Sequence, residues 1–299
     1  MDNCKRYTGI IIKGIAGFYY VRCQTSDIIE CHARGIFRKA GQRPLVGDHV
    51  EIEMVDEVKK IGSIVAIHER KCSLIRPEVA NVDQAMVVFA CSHPEPNLGL
   101  LDRFLIMMEK QGVHSLVCFN KMDLADEAFI QNIRDIYKDA GIEIISVSAK
   151  EDAGLSKIHD ALKGKITVFA GPSGVGKSTI TNILFPDALM EIGDISKKLD
   201  RGKHTTRHSQ LFILDEDTFI MDTPGFTSFE LMEGFDAAEI KDYYPEFYNL
   251  EGRCKFDGCS HTHEPACQVK EAVADGRISK IRYEGYCNIY EEIKNRRKY

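Results

Sequence analysis

The chain has 299 residues, of which 44% are hydrophobic and 28% charged, and its formal net charge is −6 at pH 7. This length and hydrophobic content predict a globular protein of two or three domains, and the acidic balance argues against a protein that is basic over its whole surface. No run approaches the roughly 18 uncharged apolar residues of a membrane span, and the opening stretch MDNCKRYTG is polar where a signal peptide would be apolar, so we expect a cytoplasmic protein without a membrane partner.

Residues 1–70 predict a small all-β domain. The runs GIIIKGIAGFYYVRC, DIIECHARGIF and DHVEIEMV are separated by turn formers and have no helix between them, which favours a β-barrel. One stretch of this domain carries four basic residues with no acid among them: Arg34, Arg38, Lys39 and Arg43. A solvated face is the usual role of such a run, and a platform for an RNA backbone is the functional alternative.

From about residue 84 the pattern changes to alternating strands and helices. The apolar runs QAMVVFA, SLVCF, IEIISV and ITVFA recur, and the stretches between them have apolar residues at helical spacing. This alternation predicts a parallel sheet covered by helices on both faces.

A guanine-reading loop is predicted directly after the strand SLVCF. The stretch FNKMDL supplies Asn120, Lys121, Met122 and Asp123. A carboxylate only accepts hydrogen bonds, so Asp123 can take two from the ring N–H and the amine of guanine, whereas adenine offers neither there. The alternative is an ordinary turn in which Asp123 caps the next helix.

A second base-reading loop is predicted one strand later. The stretch SVSAK supplies Ser148, Ala149 and Lys150, and the Ala149 amide is placed to meet the guanine carbonyl. Two such loops in this order make a chance match of either one improbable.

The strongest signal is the phosphate-binding loop in ITVFAGPSGVGKSTITNIL, which has the required order of buried strand, glycine-rich turn and helix start. Its residues are Gly171, Pro172, Ser173, Gly174, Val175, Gly176, Lys177, Ser178 and Thr179. The glycines let backbone amides approach phosphate at a helix N-terminus. We expect Lys177 to neutralise the β- and γ-phosphates and Ser178 to bind Mg²⁺.

Two further GTPase elements are predicted downstream. FIMDTPGF places Asp222 at the end of a strand, where it can bind Mg²⁺ through water, and Gly225 where its amide can sense the γ-phosphate. GKHTTRH offers Thr205 or Thr206 as the residue that closes over Mg²⁺, and an ordinary surface loop is the alternative.

The residue that positions the attacking water is not evident. Ras-like GTPases follow the glycine of DTPG with a glutamine that orients the water, but here that position is Phe226. We expect His204, or a group supplied by a partner, to do this instead. The alternatives for His204 are a phosphate contact with RNA and plain exposure.

The C-terminal region predicts a metal site. The ten cysteines are otherwise scattered, as expected for reduced thiols, but three of them cluster in Cys254-x₄-Cys259-x-His261-x₅-Cys267. Three thiolates and one imidazole satisfy tetrahedral zinc and leave no open position, so the site is predicted to be structural. His263 is the rival fourth ligand.

In the order and content of these motifs the chain resembles the circularly permuted GTPases, and within them the ribosome small-subunit-dependent GTPase A family. The resemblance covers nearly the whole chain, including NLGLLDRFL, GPSGVGKSTITN, GKHTTRH, DTPGF and CKFDGCSHTHEPACQVKEAVADGRIS. It implies an OB-fold at 1–70, a GTPase domain at 71–228, and a zinc domain with C-terminal helices at 229–299. The family pattern favours His261 over His263.

The resemblance also implies a function. The expected ligands are GTP or GDP, Mg²⁺ and one structural zinc ion, and the expected partners are the small ribosomal subunit and its rRNA, with the chain itself a monomer. The family acts late in maturation of that subunit, which stimulates hydrolysis.

Two rival functions stay open at this point. One is an rRNA-binding placeholder with a weakly hydrolytic nucleotide site, which Phe226 favours. The other is an ATP-dependent P-loop enzyme, which leaves Asp123 unexplained. The permuted order also directs the chain after DTPGF toward Cys254, so we expect the γ-phosphate state to influence the C-terminal domain.

Overall fold

The computed structural model describes residues 5–39, 41–74, 78–184, 210–222, 234–250 and 252–296, with the side chains of residues 38, 39 and 222 outside the description. The fold divides into two compact units. The first unit comprises Met1–Ala85, Ser156–Ala170 and Ser178–Pro224. The second unit comprises Met86–Leu155, Gly171–Lys177 and Gly225–Tyr299. The three domain ranges expected from the sequence stay predictions.

Five strands of the first unit close into a barrel in the order β1-β2-β3-β5-β4, which confirms the predicted N-terminal all-β barrel. The elements are β1 Arg6–Ile15, β2 Phe18–Cys23, β3 Ile28–Ala33, α1 Gly35–Lys39, β4 His49–Asp56 and β5 Ile61–Ile67. The pairs are antiparallel except for β3 with β5, and the pairing of β1 with β4 completes the ring.

The barrel core follows from alternation along the strands. In β4, Val50 and Ile52 are fully buried, whereas His49 is exposed. Val21 of β2 and Ile64 of β5 are buried in the same way. Side chains on successive strand residues point to opposite faces, so one face of each strand fills the barrel and the other faces outward.

A short antiparallel pair, β6 Ser73–Leu74 and β7 Val79–Ala80, follows the barrel. Gly47 has a φ of +90°, and a Cβ there would overlap the carbonyl oxygen of Ala80. The side chain of Asn81 donates to the Gly47 carbonyl at 2.9 Å. Glycine is therefore required where β7 passes close to the barrel.

The remainder of the first unit is an α/β region. Its strands are β11 Ile166–Ala170, β12 Phe212–Ile213 and β13 Phe219–Asp222. Its helices are α4 Leu155–Leu162 and α5 Lys177–Leu184, and the first residue of each helix belongs to the second unit. β13 lies between the other two strands, parallel to β11 and antiparallel to β12. Every residue of β11 is buried, as expected for a parallel strand covered on both faces.

The second unit contains the strands that carry the two base-reading loops. Its α/β elements are β8 Gln84–Ala90, of which the first two residues belong to the first unit, α2 Leu98–Lys110, β9 His114–Asn120, α3 Glu127–Tyr137 and β10 Glu143–Ser146. β9 lies between β8 and β10, and β9 and β10 are parallel. The predicted alternation of buried strands and helices is confirmed, with the base-reading strands ahead of the phosphate-loop strand in the chain.

The C-terminal part of the second unit is helical. A 3₁₀ helix spans Ala237–Tyr243, and α6 Pro245–Tyr248, α7 Gln268–Ala274 and α8 Lys280–Asn295 follow. Tyr244 and Tyr286 are fully buried, with ring centroids 5.2 Å apart. Among the described helices, none is both long and apolar enough to cross a membrane.

A buried ion network fastens these helices to α2. The guanidinium of Arg282 on α8 donates to Asp102 of α2 and, at 2.8 Å, to Glu246 of α6. All three side chains are at most 3% exposed. Tyr137 of α3 also donates to Asp102 at 2.9 Å. The C-terminal helices are thus held to α2 and α3 by a specific polar arrangement.

Candidate nucleotide site and metal centre

The phosphate-binding loop follows β11 in a conformation that needs glycine. Gly171 has a φ of +136°, and a Cβ there would overlap the carbonyl oxygen of Val88 in β8. Gly176 has a φ of +95°, and a Cβ there would overlap the amide nitrogen of Asn120. A side chain at either position would push the loop away from Val88 or Asn120 and change the loop conformation that is predicted to bind phosphate.

Lys177 folds back over this loop. Its ammonium group donates to the carbonyl oxygens of Gly171 and Pro172, each at 2.8 Å. Ser178 and Thr179 stand exposed in the first turn of α5. The loop therefore presents a positive charge and open hydroxyl groups at the start of a helix, as anion binding requires.

Asn120 joins both base-reading loops to the phosphate-binding loop. Its side chain is 2% exposed. The amide nitrogen donates to the carbonyl oxygen of Val175 at 2.9 Å, and the amide oxygen accepts from the backbone N–H of Ala149 at 3.0 Å. Because one buried amide has both bonds satisfied, it fixes three separate loops relative to one another.

Lys121 makes a second connection to the phosphate-binding loop. Its φ is 63°, a left-handed conformation that residues with a side chain adopt seldom. The ammonium group donates to the carbonyl oxygen of Gly174 at 2.9 Å and to that of His93. With its end held at two carbonyl groups, the aliphatic stem is available to cover one face of a base.

The Asp123 carboxylate is oriented by a hydrogen bond from the neighbouring base-reading loop. The hydroxyl of Ser148, which is fully buried, donates to one carboxylate oxygen at 2.6 Å. This hydrogen bond lowers the pKa of Asp123 below its ordinary value, so the group is ionised at neutral pH. The N-cap of α3 is Asp126, which accepts from the N–H of Phe129 at 2.8 Å. Asp123 is therefore not the helix cap that the alternative interpretation required.

The remaining predicted nucleotide residues are described only in part. Asp222 ends β13 in register with Phe169 of β11, two residues before the phosphate-binding loop begins. Met122 and Lys150 lie in the two base-reading loops beside the residues already placed. His204, Thr205, Thr206, Gly225 and Phe226 lie outside the described residues.

The structure adds one participant that the sequence interpretation missed. His93 follows β8 in the stretch CSHPEPN, and its carbonyl oxygen anchors Lys121. A backbone carbonyl leaves no side-chain signal, and only the turn-forming composition of that stretch marks it as a loop.

The four predicted metal ligands meet in the C-terminal helical region. The ligand atoms of Cys254, Cys259, His261 and Cys267 all lie within 4.8 Å of one another. His261 Nδ1 is 3.4 Å from the Cys267 sulfur and 3.7 Å from the Cys254 sulfur, and those two sulfurs are 3.9 Å apart. Tetrahedral zinc with bonds of about 2.0–2.3 Å separates its ligands by about 3.3–3.8 Å. These four groups can hold one metal ion with no position left open.

The rival ligand His263 is not part of this cluster. Its side chain is 74% exposed, and its Nε2 lies 3.0 Å from a carboxylate oxygen of Glu291. His261, by contrast, is 3% exposed. The nine described cysteines are all free thiols, in keeping with the reduced thiols expected from the sequence.

Groups around the cluster fix its loop. Tyr283 donates to the carbonyl oxygen of His261 at 2.9 Å, and Tyr286 donates to that of Ser260. Partial burial of Glu264 opposes its ionisation, but hydrogen bonds from Ser260 and Thr262 outweigh burial and lower its pKa to about 2. Outer groups of this kind hold metal ligands in position.

Comparison with known families gives two matches. A family model described as RsgA GTPase matches residues 67–232, and one described as RsgA N-terminal domain matches residues 8–64. Among curated proteins, the small ribosomal subunit biogenesis GTPase RsgA of Agathobacter rectalis is 49% identical, over 98% of this chain and 100% of its own length. The protein of the same name from Clostridium perfringens is 48% identical, over 97% and 99%.

Two solved structures share the whole architecture. YjeQ from Thermotoga maritima has a TM-score of 0.83 at 35% identity, over 98% of this chain and 100% of that one. YloQ, described as a circularly permuted GTPase, has a TM-score of 0.81 at 37% identity, over 99% and 97%. The permuted motif order, the nucleotide-site geometry and these matches lead to one conclusion: this chain belongs to the RsgA GTPase family and is a GTP hydrolase.

Proposed function

We propose that this chain binds the small ribosomal subunit, assists its late maturation, and hydrolyses GTP faster when that subunit is bound. The family supports the proposal, and so does the function named for the relatives from Agathobacter rectalis and Clostridium perfringens. The expected setting is the cytoplasm and the expected form a monomer. In this proposal residues 1–70 bind RNA, residues 71–228 bind and hydrolyse GTP, and residues 229–299 hold zinc.

The observation that carries the nucleotide assignment is the network centred on Asn120. It connects the loops of Asp123 and Ala149 to the phosphate-binding loop through Val175. An ionised Asp123 accepts from guanine, whereas adenine would cover the carboxylate without donating to it. Competition of GDP and ADP for the site tests this: GDP should displace a fluorescent guanine nucleotide, and ADP at the same concentration should not.

The phosphate chemistry is assigned to a small set of residues. Lys177 and the amides of residues 171–178 would hold the β- and γ-phosphates, and the Gly225 amide would sense the γ-phosphate. Ser178, Asp222 through water, and Thr205 or Thr206 would hold Mg²⁺, which when bound neutralises charge that develops on the phosphates. These roles come from the sequence motifs, and the described geometry of Lys177 is consistent with them.

The attacking water needs a positioning group other than Phe226. We assign this role to His204, beside the switch threonines, or to a group on the subunit. Replacing His204 with Ala should lower the subunit-stimulated rate without weakening GDP binding. An unchanged stimulated rate would remove His204 from the mechanism.

The RNA-binding surface is assigned to the basic stretch of the barrel. Arg34 pairs with Glu53, and Arg43 lies 3.2 Å from Glu78. The Arg43 pair is exposed on both sides and contributes little, about 0–1 kcal/mol. The Arg34 side chain is 49% exposed, so both guanidinium groups are accessible to a phosphate. The side chains of Arg38 and Lys39 lie outside the description. If phosphate contacts carry binding, affinity for the subunit should fall as salt rises.

The Cys₃His cluster is assigned one structural zinc ion. Four protein ligands leave no place for water or substrate, which excludes the geometry of a catalytic site. The same ion would tie the loop of Cys254 to the start of α7, because Cys267 immediately precedes that helix. Bound zinc would then be part of the fold of residues 229–299.

One rival function is an rRNA-binding placeholder that binds nucleotide but hydrolyses it weakly. Phe226 favours it, because this residue stands where Ras-like GTPases carry the glutamine that orients the attacking water. Turnover of GTP and of ATP, each with and without small subunits, separates the two. Stimulated turnover of GTP alone supports the proposed GTPase. Subunit binding with no stimulation under any condition would favour the placeholder.

A further inference from the structure

The barrel pairs directly with the chain segment that contains β12 and β13. We call residues 210–222 the β12–β13 hairpin. The backbone N–H of Leu211 donates to the carbonyl oxygen of Ile12 at 2.8 Å, and Gln210 forms an antiparallel bridge with Lys13. Both contacts lie beside the irregularity in β1 between Ile11 and Lys13. The start of the hairpin therefore pairs alongside the C-terminal half of barrel strand β1.

Arg22 of β2 makes a second contact with the hairpin, at its other end. Its guanidinium donates to the carbonyl oxygen of Asp215 at 2.8 Å and lies 5.7 Å from the centroid of the Phe219 ring. The neighbouring Val21 is fully buried in the barrel, so Arg22 projects from the outer face. One charged side chain thus holds the turn at Asp215 and the first residue of β13 together.

The hairpin connects residues that the GTPase chemistry needs. β13 ends at Asp222, which lies in register with Phe169 two residues before the phosphate-binding loop. At its other end, Gln210 follows Thr206 by only four residues in the chain. A shift of the hairpin along or away from β11 would therefore move the backbone at Asp222, where β13 ends.

We propose that Arg22 is a positioning residue for GTP hydrolysis, acting through the hairpin on Asp222. Pairing with β11 fixes the register of β13, and the Leu211 bond fixes the start of the hairpin. Arg22 adds a contact at the turn and on the first residue of β13, so it limits movement of the end of the hairpin that the Leu211 bond does not reach. The proposal rests on the GTPase activity of the family and does not require stimulation by the subunit.

Replacing Arg22 should lower the rate constant of hydrolysis and leave nucleotide affinity unchanged. A displacement of about 1 Å at a reacting centre can cost on the order of a hundredfold in rate. Arg22→Met keeps an unbranched apolar side chain but removes the guanidinium, with its charge and its donors. We expect its kcat for GTP to fall about tenfold, with KM and GDP affinity within about twofold of the wild type. The hydrogen bonds that hold the side chains of Asn120, Lys121 and Asp123 in place involve no residue of the hairpin.

The test is single-turnover and steady-state GTP hydrolysis by the full-length protein without subunits, normalised to sites counted by GDP binding. Arg22→Lys retains a charged donor and should recover at least about half of the lost rate. Arg6→Met is the matched control, because Arg6 lies on the same barrel with 62% of its side chain exposed and pairs with Glu53. It should hydrolyse GTP like the wild type.

Several results would overturn the proposal. These are an unchanged kcat in Arg22→Met, an equal loss in Arg6→Met, no recovery with Lys, or a loss that disappears after normalisation to active sites. Should Arg22→Met fail to fold, Arg22→Gln takes its place with the same expectation. If small subunits do not stimulate GTP turnover by the wild type, the proposed function is contradicted. The comparison of Arg22 variants with the wild type, which is made without subunits, remains valid.

Discussion

Asn120 shows how much of the site depends on single side chains. In the sequence it is the first residue of the four-residue motif predicted to read guanine. In the structure its amide is buried and bonded on both sides, to Val175 and Ala149. The residue that the motif marks for base recognition thus also holds the phosphate-binding loop. Gly176 is part of the same arrangement, since any Cβ there would overlap the Asn120 amide.

Substitution of Asp123 tests guanine recognition. Asp123→Asn replaces a group with two acceptor oxygens by an amide with one acceptor and one donor. One of the two guanine donors then faces another donor, and GDP affinity should fall on the order of a hundredfold. Xanthine carries a carbonyl where guanine carries its amine, so xanthosine diphosphate should gain affinity. Fluorescent-nucleotide displacement measures both changes.

Asp126→Asn is the matched control for that experiment. Asp126 caps α3 three residues further along, and an asparagine caps a helix equally well. GDP affinity in this variant should equal that of the wild type. Equal losses in the two variants would contradict a specific role for Asp123.

At the scale of secondary-structure elements, the barrel, the alternating strands and helices and the metal cluster could be predicted from sequence. Each rests on a local pattern: alternation, helical spacing or ligand spacing. The contacts between elements could not, because Arg282, Asp102 and Glu246 are separated by 36 to 180 residues and nothing local marks them as partners. The anchoring of Lys121 by a backbone carbonyl was hidden for the same reason.

The ion network of Arg282 should contribute strongly to stability. Burial opposes the charge on Arg282, but Asp102 and Glu246 outweigh burial and raise its pKa, so the guanidinium stays charged. Arg282→Met leaves two buried carboxylates without their cation, which should lower the free energy of unfolding by about 3–5 kcal/mol. Urea unfolding followed by circular dichroism measures the change.

An exposed ion pair supplies the comparison for Arg282. Arg277→Met removes a pair with Asp275 in which both side chains are more than half exposed. The free energy of unfolding should then change by no more than about 1 kcal/mol. A similar small change in Arg282→Met would show that the buried network is not stabilising.

The two histidines near the metal cluster provide a matched pair of variants. His261→Ala removes a ligand and should abolish stoichiometric zinc, whereas His263→Ala should retain about one zinc per chain. Elemental analysis of the purified proteins measures this, and thermal unfolding should show a loss of stability in the first variant alone. Zinc retained by His261→Ala and lost from His263→Ala would reverse the assignment.

At the scale of the whole molecule, the permuted order determines where the chain goes after DTPG. It continues to a point fixed on the second unit: Lys110, at the end of α2, donates to the carbonyl oxygen of Gly234 at 3.0 Å and to Glu239 at 2.6 Å. The same ammonium group lies 3.8 Å from the ring centroid of Phe235. Lys110 therefore fixes the chain at the start of the C-terminal helices. We expect any conformational change that depends on the γ-phosphate to occur in the residues between DTPG and Gly234.

Limited proteolysis tests this boundary. We expect GDP and a non-hydrolysable GTP analogue to give different chymotrypsin cleavage at Phe226, Phe229 and Leu231. Cleavage after Phe235 and beyond should be the same with both nucleotides, because Lys110 fixes that part of the chain. Identical digestion throughout would contradict any coupling between the γ-phosphate and this region.

The most direct test of the proposed function is GTP turnover by the purified full-length protein with increasing concentrations of small ribosomal subunits, with large subunits as the control. In GTPases that lack a complete catalytic set, a partner can raise the rate by factors of about 10³–10⁵. We predict slow hydrolysis by the protein alone, at least about tenfold stimulation that saturates with small subunits, and none with large subunits or with ATP. A rate that stays flat across the titration, or rises equally with large subunits, would contradict the account.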